Sequence, residues 1–294
     1  MNAALHSTQR SIGAILMDAG LLKAEDAERV LKLQKVENLR FGDAAIKLGI
    51  LTESDIRYAL SYQFDYVYLP STEDKPVSEE LVAAYQPFSH EVEQLRMVRS
   101  QLMLRWFEKE RHKTVLAVVS AGPGEGCSYI AANLAVVFSQ LGERTLLIDA
   151  DLRAPRQHEL FKLENKLGFS SILAGRSSSD EAIVRIPVFA NLSVLPAGPI
   201  PPNPQELLNR PAYNELLEHA RDAYDVVLLD TSSMSVGADA VVVATRAGAA
   251  LAVARMIETR AGTFRDMVQA LARSGVAVVG SVLNDPPLVG SIPK

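Results

Sequence analysis

A glycine-rich turn between an apolar strand and a small-residue helix constrains this chain more than any other feature. From Thr114 the residues run "TVLAVVSAGPGEGCSYIAANLAVVFSQLG". The apolar, β-branched opening reads as a buried strand, the glycines permit a tight turn, and the small residues after Tyr129 suit a helix packed closely on a sheet. Backbone N–H groups at such a turn, with the helix N-terminus behind them, form a phosphate cradle. The pattern for that chemistry is GxxxxGK[ST], with the lysine on the β and γ oxygens and the hydroxyl on Mg²⁺. Here the frame is Ala121, four residues (Gly122, Pro123, Gly124, Glu125), then Gly126, Cys127 and Ser128, followed by Tyr129. Cradle and hydroxyl are kept, and Cys127 stands where the lysine belongs. By analogy with removing one preorganised donor, that loss costs roughly 3 kcal/mol of barrier, about 10² to 10³ in rate. Binding through the backbone survives it.

The turn alone fits a dinucleotide-binding enzyme as well. Two acidic companions separate the readings. "TLLIDADLRAPR" sets Asp149 and Asp151 at the end of the next strand, and "DVVLLDTSS" sets Asp230 at the end of a later one. A hard cation that keeps its waters takes few carboxylates, and strand ends facing a phosphate loop are where a Mg²⁺–nucleotide site needs them. Either aspartate group alone also suits a helix N-cap. Together they favour ATP or ADP with Mg²⁺, held by Ser128, Asp151 and Asp230. The strand candidates "TVLAVVS", "RTLLIDA", "NLSVLPA", "DVVLLD", "AALAVAR" and "VAVVGSVLN" are mostly separated by helical patterns. That alternation predicts an α/β fold, a doubly wound and mostly parallel sheet that binds ligands at the carboxyl ends of its strands.

The first 63 residues repeat. Gly13, Gly20, Leu22, Asp26, Leu31 and Gln34 recur 29 residues later as Gly42, Gly49, Leu51, Asp55, Leu60 and Gln63. Each unit reads as a short helix, a glycine stop, an apolar pair and an acidic turn into a second helix. The expected organisation is a two-repeat helical domain at 1–69, a Pro/Ser/charge-rich linker at 70–90 and the phosphate-loop domain at 91–294.

Charge and composition exclude several classes. Thirty Lys+Arg against thirty-five Asp+Glu leave a net charge of −5, so no global positive field attracts nucleic acid or an anionic membrane. The lone cysteine has no partner for an internal disulfide, and the N-terminus lacks a secretory h-region. "ADAVVVATRAGAALAVARM" is broken by Arg246 and Gly248, short of the run that spans a bilayer. The expectation is a cytoplasmic protein that reaches the inner membrane only through a partner.

Residues 91–285 resemble the bacterial tyrosine kinases of polysaccharide export, phosphate-loop proteins related to the MinD and ParA ATPases. The resemblance rests on "SAGPGEGCSYIAANLA", "LLIDADLRAP", "VVLLDTSS" and the loop "LPAGPIPPNPQELL". It implies that Asp149 and Asp151 act on Mg²⁺ and on the attacking tyrosine hydroxyl, with Asp230 beside them. It implies ring assembly through Glu93, Arg96 and Arg99, whose ExxRxxR spacing also suits a solvated helix face. It also implies a partner, the cytoplasmic tail of an inner-membrane chain-length protein. Two departures stand out. Cys127 replaces the family's lysine, leaving Arg153 or a neighbouring subunit's arginine to supply charge, and no tyrosine follows Tyr224. A cluster of Tyr58, Tyr62, Tyr66 and Tyr68 is an alternative phosphorylation region or simple aromatic packing. Cys127 at a helix start also suits a low-pKa redox thiol. A MinD- or ParA-like positioning ATPase is disfavoured by Gly122 at the site of its signature lysine.

The repeat resembles the MshE N-terminal type of cyclic di-GMP receptor. Its second copy carries Arg40, Phe41, Gly42, Gly49, Leu51 and Gln63, and its first Ser11, Ile12, Gly13, Gly20, Leu22 and Gln34, with Ser11 in place of arginine. The resemblance implies a cyclic di-GMP site on those twelve residues; a protein-docking domain is the competing reading.

Overall fold

A computed structural model describes residues 11–63, 69, 75–108 and 113–285. The chain forms two compact units, Met1–Pro70 and Ser71–Lys294.

The first unit is built from α1 (Ile12–Asp18), α2 (Ala24–Glu37), α3 (Phe41–Lys47) and α4 (Glu53–Gln63). The 29-residue repeat is a repeat of backbone geometry. Gly20 and Gly49 both adopt left-handed φ, +70° and +66°, and after each the chain turns back with the same bonds, Leu22 N–H to Leu16 O and Leu51 N–H to Ala45 O. Only glycine takes that conformation without cost. α1 packs on α4 and α2 on α3, so the two copies interlock around Ile15, Leu16, Leu22, Val30, Ala44, Ala45, Leu51 and Ala59.

In the second unit α5 (Val82–Tyr85) and α6 (His90–Arg105) precede the alternating part: β1 (Val115–Ser120), α7 (Cys127–Gln140), β2 (Thr145–Asp149), α8 (Gln157–Leu160), α9 (Phe169–Leu173), α10 (Ser179–Ala182), β3 (Val184–Arg185) and β4 (Leu192–Leu195). Then come α11 (Pro204–Leu208), α12 (Pro211–Ala223), β5 (Val226–Asp230), α13 (Asp239–Ala247), β6 (Ala249–Arg255), α14 (Ala261–Arg273) and β7 (Ala277–Asn284). The sheet runs β3-β4-β2-β5-β1-β6-β7, parallel throughout except for the short β3 on β4. β1, β2, β4 and β5 are buried along their whole length, which accounts for their continuous apolar runs. All six expected strands form; the two-residue β3 carries no periodic signal.

One stretch differs from expectation. Residues 75–89 are no linker. Val77, Leu81, Ala83 and Ala84 are buried, and the stretch is latched to α7 by the fully buried Asn133, whose Oδ1 accepts from Ala83 N–H (3.0 Å) and whose Nδ2 donates to Glu80 O (3.0 Å). Burying apolar groups and pairing backbone outweighs its Pro/Ser-rich composition. The following helix stops at Arg105 because Trp106 turns to donate Nε1–H to Val115 O (2.9 Å) and Phe107 packs edge-on against Phe138.

Candidate functional site

β1 lies inside the sheet between β5 and β6, and the turn from it into α7 emerges at the carboxyl end, on the same edge as the ends of β2 and β5. Gly124 and Gly126 take φ of +74° and +94°. Left-handed φ favours glycine at Gly126, and a β-carbon there would sit 2.1 Å from Asn284 Nδ2 and push that amide aside. The loop is braced from the neighbouring strand ends. Arg255 donates to Gly124 O (3.0 Å), Asn284 Nδ2 to Glu125 O (3.1 Å), and the Glu125 carboxylate accepts from Ala121 N–H (2.9 Å) and Thr259 Oγ1–H (2.6 Å). Pro123 is exposed and Gly122 half-buried. A preorganised cradle results, with the start of α7 pointing its free N–H groups outward.

Cys127 is buried, and its thiol donates to Val118 O at 3.0 Å. The side chain at the lysine position therefore turns into the protein. Burial, reinforced by the nearby Asp230, pushes the thiol pKa well up, the opposite of what a redox-reactive thiolate needs. That alternative is overturned.

The aspartates divide. Asp149 and Asp230 pair across β2 and β5 and are fully buried. Asp149 accepts from the N–H groups of Arg156 (3.1 Å), Gln157 (2.9 Å) and Asp151 (3.3 Å), so it shapes its own turn; burial and the Asp230 charge raise its pKa. Asp230 Oδ2 accepts from Gln157 Nε2 (2.8 Å), while Oδ1 is buried with no protein partner. Burial pushes Asp230 up to about 6, partly offset by the hydrogen bond from Gln157. Asp151 accepts from the N–H groups of Arg153 and Ala154, both at 3.0 Å.

A cavity of about 200 Å³ opens over the loop, lined by Gly124 to Tyr129 together with Asp151, Arg153, Arg156 and Thr231 to Ser233. The structure thus gathers Ser128, Asp151 and Arg153 at one opening and places Asp149 and Asp230 behind it. Among the described residues no group of three or more His, Cys, Asp or Glu converges as a metal cage. A Mg²⁺ ion that keeps most of its waters needs no cage, and the orphaned Oδ1 of Asp230 next to Ser128 suits such an ion. Arg153 lines the cavity, but its Nε donates to the buried Asp239 at 2.5 Å. Arg156 is paired with Glu80 at 2.9 Å. Tyr129 donates to Glu91 (2.5 Å), and burial raises its pKa.

A second cavity, of about 470 Å³, adjoins the first through Tyr129 and lies between α6, the start of α7 and the end of β7, with Leu95, Ile130, Val282 and Asn284 in its walls. Gln157, Asn284, Arg255 and Thr259 were not foreseen: each lies far in sequence from the loop it serves, with no spacing pattern to reveal it.

On α6, Arg99 is buried, and its guanidinium donates to Val137 O at 2.8 Å. Val137 is among the last carbonyls of α7, which have no helical partner. This member of the ExxRxxR set is spent inside the unit. Glu93 is exposed and Arg96, half-buried, pairs with it at 3.2 Å.

In the first unit Ser11 Oγ accepts from Ala14 N–H (3.3 Å) and caps α1, while Arg40, at the matching position of α3, makes no side-chain cap. Gly13 faces the Phe41 ring, Gly42 faces Ile56, and Ile12 packs on the core. Gln34 is half-buried, and the repeat-related Leu31 and Leu60 are both exposed. Tyr58 packs against this core. Tyr66, Tyr68 and the side chains of Tyr62 and Gln63 lie outside the described residues.

No family model matches the chain. It is 38% identical over 208 residues to tyrosine-protein kinase YwqD of Bacillus subtilis, covering 71% of this chain and 86% of that one. The chain belongs to the bacterial tyrosine-protein kinases. It is also 31% identical over 274 residues to tyrosine-protein kinase etk of Escherichia coli K12, covering 93% of this chain but only 36% of that protein. The solved kinase domain of Escherichia coli ETK superposes with a TM-score of 0.68 at 32% identity, over 77% of this chain and 86% of that one. MinD of Pyrococcus horikoshii, solved with Mg-ADP, superposes with a TM-score of 0.51 at 21% identity, over 59% of this chain and 74% of that one, a likeness of fold alone. In this chain the side chain at the lysine position of the GxxxxGK[ST] frame is a buried thiol turned inward. Among the described residues no helix is long and apolar enough to cross a membrane.

Proposed function

We propose that this protein is a kinase-like regulator of exopolysaccharide synthesis or export that binds Mg-ADP or Mg-ATP and transfers phosphate weakly or not at all. The observation that carries the reading is the Cys127 thiol bonded to Val118 O inside an otherwise intact cradle. The backbone that binds phosphate is there, and the cation that stabilises transferring charge is not. Arg153 is a poor substitute because leaving Asp239 would strand a buried carboxylate. This weighs against an active autokinase. The MinD- or ParA-like positioning role has no support beyond the shared fold. The second cavity offers room for the nucleoside beside the cradle. The exopolysaccharide context rests on relatives such as the putative tyrosine-protein kinase in the cps region of Klebsiella pneumoniae, of which this chain covers 28%. The partner would be the cytoplasmic tail of an inner-membrane chain-length protein, bringing a cytoplasmic chain to the membrane, and any ring would use Glu93 and Arg96 without Arg99.

Calorimetry with ADP and Mg²⁺, and phosphate release with Mg-ATP, test this reading. The wild type is expected to bind ADP and to release phosphate at background level, and Cys127→Lys to gain about 10² in rate if the missing donor is the chief defect. No ADP binding at millimolar concentration removes the reading; wild-type phosphate release well above background overturns the weak-transfer part of it.

The first unit, on this proposal, senses cyclic di-GMP. The support is the repetition of the Gly20 and Gly49 turns and of the exposed Leu31 and Leu60, which present two equivalent surfaces to a dinucleotide that itself has two equal halves.

A further inference from the structure

One fully buried residue outside the three sequence motifs touches all of them. Gln157, at the start of α8, donates Nε2–H to Asp230 Oδ2 (2.8 Å) and to Ser128 O (3.1 Å), and its backbone N–H donates to Asp149 Oδ2 (2.9 Å). Both contacts of the side-chain nitrogen are acceptors only, so the amide orientation is determined: the oxygen cannot occupy that place. Two donors, held at the fixed angle of a planar amide, tie the end of β5 to the first turn of α7. What remains are two buried oxygens without a protein donor, Gln157 Oε1 and Asp230 Oδ1. Buried acceptors are ordinarily satisfied. Here both belong to side chains joined by a hydrogen bond.

We propose that Gln157 is a positioning residue for the metal half of the nucleotide site: it holds Asp230 by Oδ2 so that Oδ1 is left for the hydration shell of a divalent cation, and offers Oε1 to the same shell. The inference rests on the nucleotide reading above. A carboxylate with one oxygen fixed by an uncharged donor keeps its full charge for the cation, and a shell of waters supplies the donors that both orphan oxygens lack. The same amide, through Ser128 O, sets the helix that carries the Ser128 hydroxyl. Gln157 contacts none of the backbone N–H groups of the loop, so it belongs to cation binding and not to phosphate binding.

The test separates those two. ADP binding to the whole protein is titrated in EDTA and again across a Mg²⁺ series, for wild type, Gln157→Leu and the similarly sized, uncharged Gln157→Met, each checked by thermal melting. ADP affinity in EDTA is expected to stay within about twofold of wild type, while the Mg²⁺ concentration for half-maximal effect rises roughly tenfold or more, the usual scale for removing an outer-shell partner. Gln157→Met keeps the length and most of the volume without the amide, so it carries the test if Gln157→Leu does not fold. Equal losses with and without Mg²⁺ would make Gln157 a packing residue of the loop and overturn the proposal, as would an unchanged Mg²⁺ dependence. A wild type that binds no ADP fails before any variant is compared, and removes the nucleotide reading together with the role given to Gln157.

Discussion

Arg99 supplies the sharpest conflict between motif and structure, and replacing it by alanine yields a calculable result. Its guanidinium satisfies Val137 O, one of the terminal carbonyls of α7, at 2.8 Å from a buried position. Leu141 N–H, which would continue the α-helical pattern to Val137, goes instead to Phe138 O. Arg99→Ala therefore leaves a buried carbonyl unpaired, costing about 1–3 kcal/mol, and removes a cation from a helix C-terminus, worth up to about 2 kcal/mol in partly buried geometry. A total near 3 kcal/mol lowers the melting temperature by roughly 6–12 °C for a unit of this size. Glu93→Ala breaks a pair with an exposed carboxylate and should cost under about 1 kcal/mol. Thermal melting by circular dichroism, beside light scattering with nucleotide present, measures both quantities. An Arg99→Ala protein that melts within 2 °C of wild type (roughly the effect of 1 kcal/mol or less) while an oligomer dissociates would refute the argument and return Arg99 to the assembly face.

Two further outcomes are expected. Asn133→Ala strands Ala83 N–H and Glu80 O, so stability should fall by about 3 kcal/mol and residues 75–90 should become sensitive to limited proteolysis; unchanged proteolysis would mean that apolar burial and the remaining polar contacts hold the stretch without Asn133. Ser11→Arg removes the α1 cap, lowering stability by about 1 kcal/mol, and should tighten cyclic di-GMP binding in a full-chain titration, whereas Arg40→Ala should weaken it; no response in either variant leaves the first unit a protein-docking module.

Much of this protein could be read directly from its residues. Strand, glycine turn and small-residue helix have only one compact arrangement at Val115–Gln140, and the apolar runs after it alternate at the period of a parallel sheet, so fold class and the phosphate loop follow from local chemistry. The 29-residue repeat likewise foretells two equal turns, since left-handed backbone at Gly20 and Gly49 is a demand on single residues. What one strand or turn demands is written where it occurs. What three-dimensional neighbours demand is not. Whether Cys127 faces ligand or protein depends on Val118 O, whether Arg153 is available depends on Asp239, and whether Arg99 meets another subunit depends on the end of α7. Residues 75–89 have the composition of a linker and are held in place by apolar burial and by partners distant in sequence, among them an asparagine 50 residues away from Ala83. Gln157 has no motif at all; its place between Asp149, Asp230 and Ser128 exists only because parallel strands bring their carboxyl ends together, and a hydrogen bond is specified by the distance between partners in space, which residue spacing does not encode.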